Sequence, residues 1–198
     1  MNKERSRSNL LFFKQALKEF RSHGAILPSS RFLSARVASL VRPKVGDVIV
    51  ELGAGTGAVS RELIKRLPAE GTLVLLELNP ILVDYLHRTI EDSRVLVVEG
   101  DAADLPRILK ELSLDKADRI VSGLPLGDFN KELREKILTA ISESLNNDGR
   151  YIQFQYFLTS LAHIRKMFHV RIAGYEIRNV PPAFVYECKK KHTEIRSQ

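Results

Sequence analysis

Residues 48 to 57, Val48-Ile49-Val50-Glu51-Leu52-Gly53-Ala54-Gly55-Thr56-Gly57, restrict this chain more than any other stretch. A β-branched run ends in an acid and then in glycines at alternate positions. Val59 to Leu67 follow with apolar side chains at helical spacing. The expected local structure is strand, tight turn, helix. Glycine admits positive φ and lets a ligand approach the backbone without meeting a Cβ. The free N–H groups at the helix start then face whatever occupies the loop.

A dinucleotide turn of the G-x-G-x-x-G type is the first comparison. Gly53 and Gly55 fit it, but the third glycine falls at Gly57, one position early. No Gly-Lys-Ser/Thr follows, so the loop is not a P-loop either. What remains is E-x-G-x-G-x-G, and its meaning rests on what ends the later strands.

Beyond the loop the strands alternate with helices. Strands are expected at 47–52, 72–78, 94–100, 117–122 and 150–156. Helices are expected at 58–67, 80–90, 105–112, 131–145 and 159–168, the second with Pro80 in its first turn. A helix over 31–41 precedes them, capped by Ser29 or Ser30. Two closing strands, 170–180 and 183–188, surround Pro181-Pro182 with no helix between them. The fold class is therefore α/β: a seven-stranded, mostly parallel sheet with an antiparallel edge and helices on both faces.

The 198 residues suffice for one domain, here residues 23–188. No apolar run approaches a membrane span, and the charged start does not read as a signal peptide. The single Cys188 excludes an internal disulfide and a cysteine metal cluster. His163, His169 and His192 show no metal-ligand spacing, so no metal is expected. A cytoplasmic location is expected.

The net charge of +7 sits at the ends: residues 1–21 carry +4 and residues 189–198 carry +3, leaving a neutral body. Two basic ends suit an anionic surface, nucleic acid or lipid headgroup, unless they are merely solvated. Residues 9–21, within an N-terminal segment 1–22, read as an amphipathic helix. Leu10, Phe13, Leu17 and Phe20 share a face, with Lys14 and Lys18 opposite. Such a helix either lies in a membrane interface or packs on the protein itself. The C-terminal stretch 189–198 is expected to be a basic tail.

Ligands of open α/β sheets bind beyond the carboxyl ends of the strands. The first strand ends at Glu51 and the glycines. The second ends at Glu77, 20 residues after Gly57. A carboxylate there can accept both hydroxyls of a ribose. The third delivers Asp101 and Ala102, suited to an adenine amine and ring. The fourth ends in Ser122-Gly123-Leu124-Pro125. Each acid taken singly also reads as a turn or cap residue.

Taken together, residues 25–156 resemble a Rossmann-like class I S-adenosylmethionine (SAM) methyltransferase. The resemblance implies that Gly53, Ala54, Gly55, Thr56 and Gly57 line the methionine part of SAM. Glu77 and Leu78 would bind ribose, and Asp101 and Ala102 adenine. It also implies cofactor contacts for Pro28, Ser29, Ser30, Glu51 and Ser122. Ser122, Gly123, Leu124 and Pro125 would stand at motif IV, beside the transferred methyl. Adenine methyltransferases carry Asn or Asp before Pro-Pro-Tyr or Leu-Pro-Tyr there. This chain keeps Leu-Pro, reduces the acceptor to Ser122 and lacks the stacking aromatic. A small amine held near backbone carbonyls fits better than a planar base.

Residues 24–30, 121–125, 153–156 and 181–186 together are similar to bacterial phospholipid N-methyltransferases. The resemblance implies methylation of phosphatidylethanolamine towards phosphatidylcholine, by a protein bound peripherally to the inner face of the cytoplasmic membrane. Tyr156 is then a candidate for the substrate headgroup. The chain departs from the family in lacking an aromatic hydroxyl between Phe20 and Pro28. The alternative is an rRNA adenine N6-dimethyltransferase; a lipid-binding protein without activity is a third reading.

Overall fold

A computed structural model describes residues 29–191. The helix expected over 9–21, with Leu10, Phe13, Lys14, Leu17, Lys18 and Phe20, lies outside the described residues. So do Pro28 and residues 192–198.

The chain enters at α1 (Arg31–Val41), whose cap is Ser30: its hydroxyl accepts Leu33 N at 3.2 Å. Five parallel strands follow, β1 (Val48–Leu52), β2 (Thr72–Glu77), β3 (Val95–Glu99), β4 (Ala117–Ser122) and β5 (Leu145–Gln155). Between them come α2 (Ala58–Ile64), α3 (Pro80–Thr89), α4 (Leu105–Glu111) and α5 (Lys131–Ser144). A short α6 (Leu161–Met167) leads to β6 (Phe168–Glu176) and β7 (Ala183–Lys190). The strand order is β3-β2-β1-β4-β5-β7-β6. β7 is antiparallel to both neighbours, so the expected antiparallel edge is present, with the last strand inserted before the sixth.

Both sheet faces are covered. Val50, Leu52, Val74, Leu76, Ile120 and Tyr151 pack under α4 and α5. Ile49, Leu73, Leu75, Val121 and Ile152 pack against α1 and α2. Alternating side chains on a strand buried on both faces give the continuous apolar runs read from sequence. Two boundaries move. β5 starts at Leu145, five residues before the expected strand, because Leu145 pairs with Ala117 across an irregularity in β4. β7 runs to Lys190, with Lys189 opposite His169 and Lys190 opposite Phe168, so the tail expected from residue 189 begins inside the sheet.

Register fixes the site. Leu52 lies opposite Leu76 and Ser122, Glu77 opposite Glu99, and Ser122 opposite Gln153. The carboxyl ends of five strands therefore finish at one level. α1 is tied to this end by Glu176, which is buried and takes Arg36 at 3.0 Å and Arg178 at 2.8 Å. The two guanidiniums, Arg178 foremost, hold the Glu176 carboxyl down at about 2. A depressed carboxyl contributes stability that is present above its unfolded value and lost as pH falls through the folded one. Glu176→Gln should therefore lower Tm at pH 7, and thermal scans should show the deficit shrinking as pH falls from about 4.5 towards 2.

Candidate active site

The glycine loop follows β1. Gly53, Gly55 and Gly57 have φ of +73°, +59° and +78°, the region L side chains rarely adopt. Space also demands glycine at Gly53 and Gly57. A Cβ on Gly53 would stand 2.9 Å from Leu124 Cδ2, and one on Gly57 2.8 Å from Arg61. Around Gly55 the nearest atom is 4.0 Å away, so the loop stays open where a ligand would approach.

Glu77 organises this loop. It is 2% exposed, and its carboxylate accepts Gly55 N at 2.9 Å, Leu78 N at 3.0 Å and Asn79 N at 2.9 Å. A carboxylate offers about four acceptor positions, so one stays open to a hydroxyl. Glu77 is thus a clamp on the loop as well as the candidate ribose ligand.

Glu51 is 4% exposed, and its Oε2 has no hydrogen-bond partner. Ser60 Oγ is likewise buried without a hydrogen-bond partner. Burial, with a smaller push from the Glu77 charge, raises Glu51 to about 8. A buried acceptor left open beside a glycine loop is a site prepared for a donor or a cation.

Asp101 ends the β3 turn. Its Oδ1 accepts Ala103 N at 2.9 Å, which fixes the short turn at Ala102. A cleft runs from Gly53 past Leu78, Asp101 and Ala102 to Leu124 and Phe129. Its inner wall includes Leu133 and Ile137 of α5. Sequence reading missed Phe129, Leu133 and Ile137. Their helical spacing marked α5 as core, and nothing in it marked one end as a ligand wall. Its lining is mostly apolar and includes one carboxylate, Asp101, a combination that suits an adenine ring and its amine.

The turn after β4 differs from expectation. Ser122 is fully buried, and its Oγ accepts Leu124 N at 3.2 Å. It shapes the turn from inside, which argues against direct contact with cofactor or substrate. With Leu124-Pro125 as the reference, the acceptor position of adenine enzymes falls on Gly123. A Cβ there would stand 2.3 Å from Phe154 Cζ. The ring tip therefore fills the space that an Asn side chain would need. Leu126, where the stacking aromatic would stand, is also fully buried.

Tyr156 lies on the other flank. Its hydroxyl bonds with Asn179 and Ser29, and burial raises its pKa against those bonds. Asn179 Oδ1 accepts Ser30 N at 2.8 Å, so Ser29, Ser30, Tyr156 and the β6–β7 loop meet at one edge. The structure thus brings Glu51, the glycine loop, Glu77, Leu78, Asp101, Ala102, Gly123 and Leu124 to one end of the sheet. Pro125 and Tyr156 sit beside them. No group of three or more His, Cys, Asp or Glu that could hold a metal ion occurs among the described residues.

Comparison with known proteins agrees with this geometry. Residues 49–149 match the family model "Methyltransferase domain". An ornithine lipid N-methyltransferase of Singulisphaera acidiphila is 31% identical over 185 residues, covering 90% of this chain and 94% of that protein. A ribosomal RNA small subunit methyltransferase A of Cupriavidus metallidurans is 35% identical over 112 residues, 50% of this chain and 38% of the relative. The fold resembles the glycopeptide N-methyltransferase MtfA complexed with SAM, at TM-score 0.64 and 11% identity over 83% of this chain and 96% of that one. It also resembles a precorrin-6y C5,15-methyltransferase from Geobacter metallireducens, at TM-score 0.63 and 21% identity over 80% and 88%.

The chain belongs to the class I SAM-dependent methyltransferases. It is an enzyme, and SAM is its cofactor. The residues fit that cofactor: an unpartnered buried oxygen on Glu51, a glycine loop, the buried Glu77 carboxylate and a mostly apolar cleft lined by Asp101.

Two outcomes test the site. A buried carboxyl raised from 4.5 to about 8 costs stability progressively as pH climbs between those values. Glu51→Gln should therefore raise the Tm of the ligand-free protein at pH 8.5 and lose the advantage by pH 4.5. About 1 kcal/mol corresponds to roughly 2–4 °C in a chain of this size. Gly123→Ala should destabilise by about 1–3 kcal/mol through overpacking and reduce methyl transfer. Adding Phe154→Leu, which removes the ring tip, should recover part of the stability in denaturant titrations.

Proposed function

We propose that the chain is a lipid N-methyltransferase working at a membrane surface. It moves methyl groups from SAM to the amine of phosphatidylethanolamine and its mono- and dimethylated forms, towards phosphatidylcholine. The observation that carries this reading is the similarity to a lipid N-methyltransferase, which spans 90% of this chain and 94% of that relative. The similarity to the ribosomal RNA enzyme covers 38% of that protein. Packing at Gly123 supports the same choice, because it leaves no room for the acceptor side chain of an adenine methyltransferase.

SAM supplies a methyl group already activated on a sulfonium. What the chain contributes is orientation and exclusion of water. The turn at 122–125 presents backbone to a small amine, with the Phe154 ring packed against Gly123. A lipid surface is supported by exposed apolar side chains at the same end of the sheet. Phe157 is 59% exposed beyond β5, and Ile177 and Val180 are each 69% exposed beyond β6. Arg31 and Arg178 stand nearby, both over the Phe32 ring. Apolar side chains rimmed by cations suit an anionic bilayer. No described helix is long and apolar enough to cross a membrane. A second reading, the amine of ornithine lipid, is favoured by the relative's own activity.

Incubation with labelled SAM and vesicles of phosphatidylethanolamine, of ornithine lipid, or with small-subunit RNA separates these readings. Label in phosphatidylethanolamine is expected. Label in ornithine lipid alone moves the substrate to the second reading, and label in RNA alone overturns both. For the membrane, Phe13→Asp with Phe20→Asp should abolish pelleting with anionic liposomes while leaving SAM affinity within about twofold by calorimetry, less than ~0.5 kcal/mol.

A further inference from the structure

The Leu124 carbonyl is crowded to a degree that turn geometry alone does not require. Leu126 N reaches it at 2.8 Å, Gln153 Nε2 at 3.0 Å and Gln155 Nε2 at 3.2 Å. A carbonyl oxygen has two lone pairs, and three N–H donors converge on this one. Neither glutamine is free to turn away. Gln153 is fully buried and its Oε1 accepts the Tyr151 hydroxyl, while its Nε2 also reaches Phe154 O at 3.1 Å. Gln155 is also buried, and its Oε1 accepts the hydroxyl of Ser160. Leu124 O can only accept, so each amide turns its Nε2 to it and leaves its Oε1 to a hydroxyl.

These bonds continue into the turn. Tyr151 donates to Gln153, Gln153 donates to Leu124 O, and Leu124 N donates to Ser122 Oγ at 3.2 Å. The series of bonds links β5, the turn and the end of β4, among residues that are all buried. Between the two glutamines, Phe154 points to the opposite face and sets its ring tip against Gly123. Residues 153–155 thus hold the turn from both sides of the sheet.

We propose that Gln153 and Gln155 are positioning residues for methyl transfer: by filling the Leu124 carbonyl they fix the 122–125 turn and withdraw that carbonyl from the groups that receive the incoming amine. The proposal rests on the methyltransferase assignment and refines the amine reading given above. The amine is then oriented by the shape of the turn and by other acceptors. A carbonyl already carrying three donors gains little from a fourth. Loss of one glutamine leaves two donors on the carbonyl but lets the turn relax, which moves the groups the amine meets.

The test uses Gln155→Leu, close in volume but without an amide, and the milder Ser160→Ala, which frees Gln155 to rotate. Binding is read with S-adenosylhomocysteine and with sinefungin, which carries an amine where SAM carries its methyl. Both variants should bind S-adenosylhomocysteine within twofold of wild type by calorimetry. Their preference for sinefungin over S-adenosylhomocysteine should move at least fivefold for Gln155→Leu and less for Ser160→Ala. On lipid vesicles, kcat should fall at least tenfold for Gln155→Leu with the KM for SAM unchanged. If Gln155→Leu is poorly folded by thermal scan, Ser160→Ala decides the matter alone. Sinefungin preference that matches wild type in a folded variant overturns the proposal, whatever the lipid assay gives. Wild type that labels no lipid overturns the lipid reading, while the sinefungin ratio still decides the role of the glutamines.

Discussion

The Glu77 carboxylate is the contact on which the site depends. It gathers one N–H from the loop after β1 and two from the turn after β2. Two adjacent connections, each free to move alone, become one rigid rim. A carboxylate with backbone donors on both oxygens is strongly held, and burial removes competition from water. Asn79, one of those donors, also caps α3 through its side chain, so the rim extends into a helix. The loop therefore has its shape before any cofactor arrives, which lowers the ordering cost of binding.

Much of this was legible in the chain. Strand–helix alternation, the acids at strand ends and the closing antiparallel pair all follow from periodicity and turn chemistry. Side-chain direction was less legible. Ser122 reads as a polar residue at a strand end, yet it turns inward because β4 is central and covered on both faces. Gln153 and Gln155 alternate with Phe154 as on a half-exposed strand. They are buried because β7 inserts beside β5 and α5 with α6 cover that face. Only the strand order reveals this, and nothing local specifies it.

The same turn shows how a missing side chain is read. An acceptor and an aromatic absent from motif IV suggest an emptied pocket. The structure instead fills the first space with Phe154 and buries Leu126 in the second. Deletion of function at one position and filling by a residue about 30 positions away are one change in packing, as close-packed interiors require. The substrate inference thus becomes steric.

β7 has a further consequence for the distribution of charge. Its first residue lies at the site end, and Lys190, opposite Phe168, lies at the other. Seven extended steps separate those ends, roughly 24 Å, or about three screening lengths at physiological salt. The chain enters the described fold at Ser29, beside Tyr156 and Asn179, and leaves it at Lys191 on the far end. Lys189, Lys190 and Lys191 therefore cannot add their field to that of cations around the site. Among the described residues, these three lysines and the cations around the site meet an anionic surface as separate groups, and only the second group stands beside the active site.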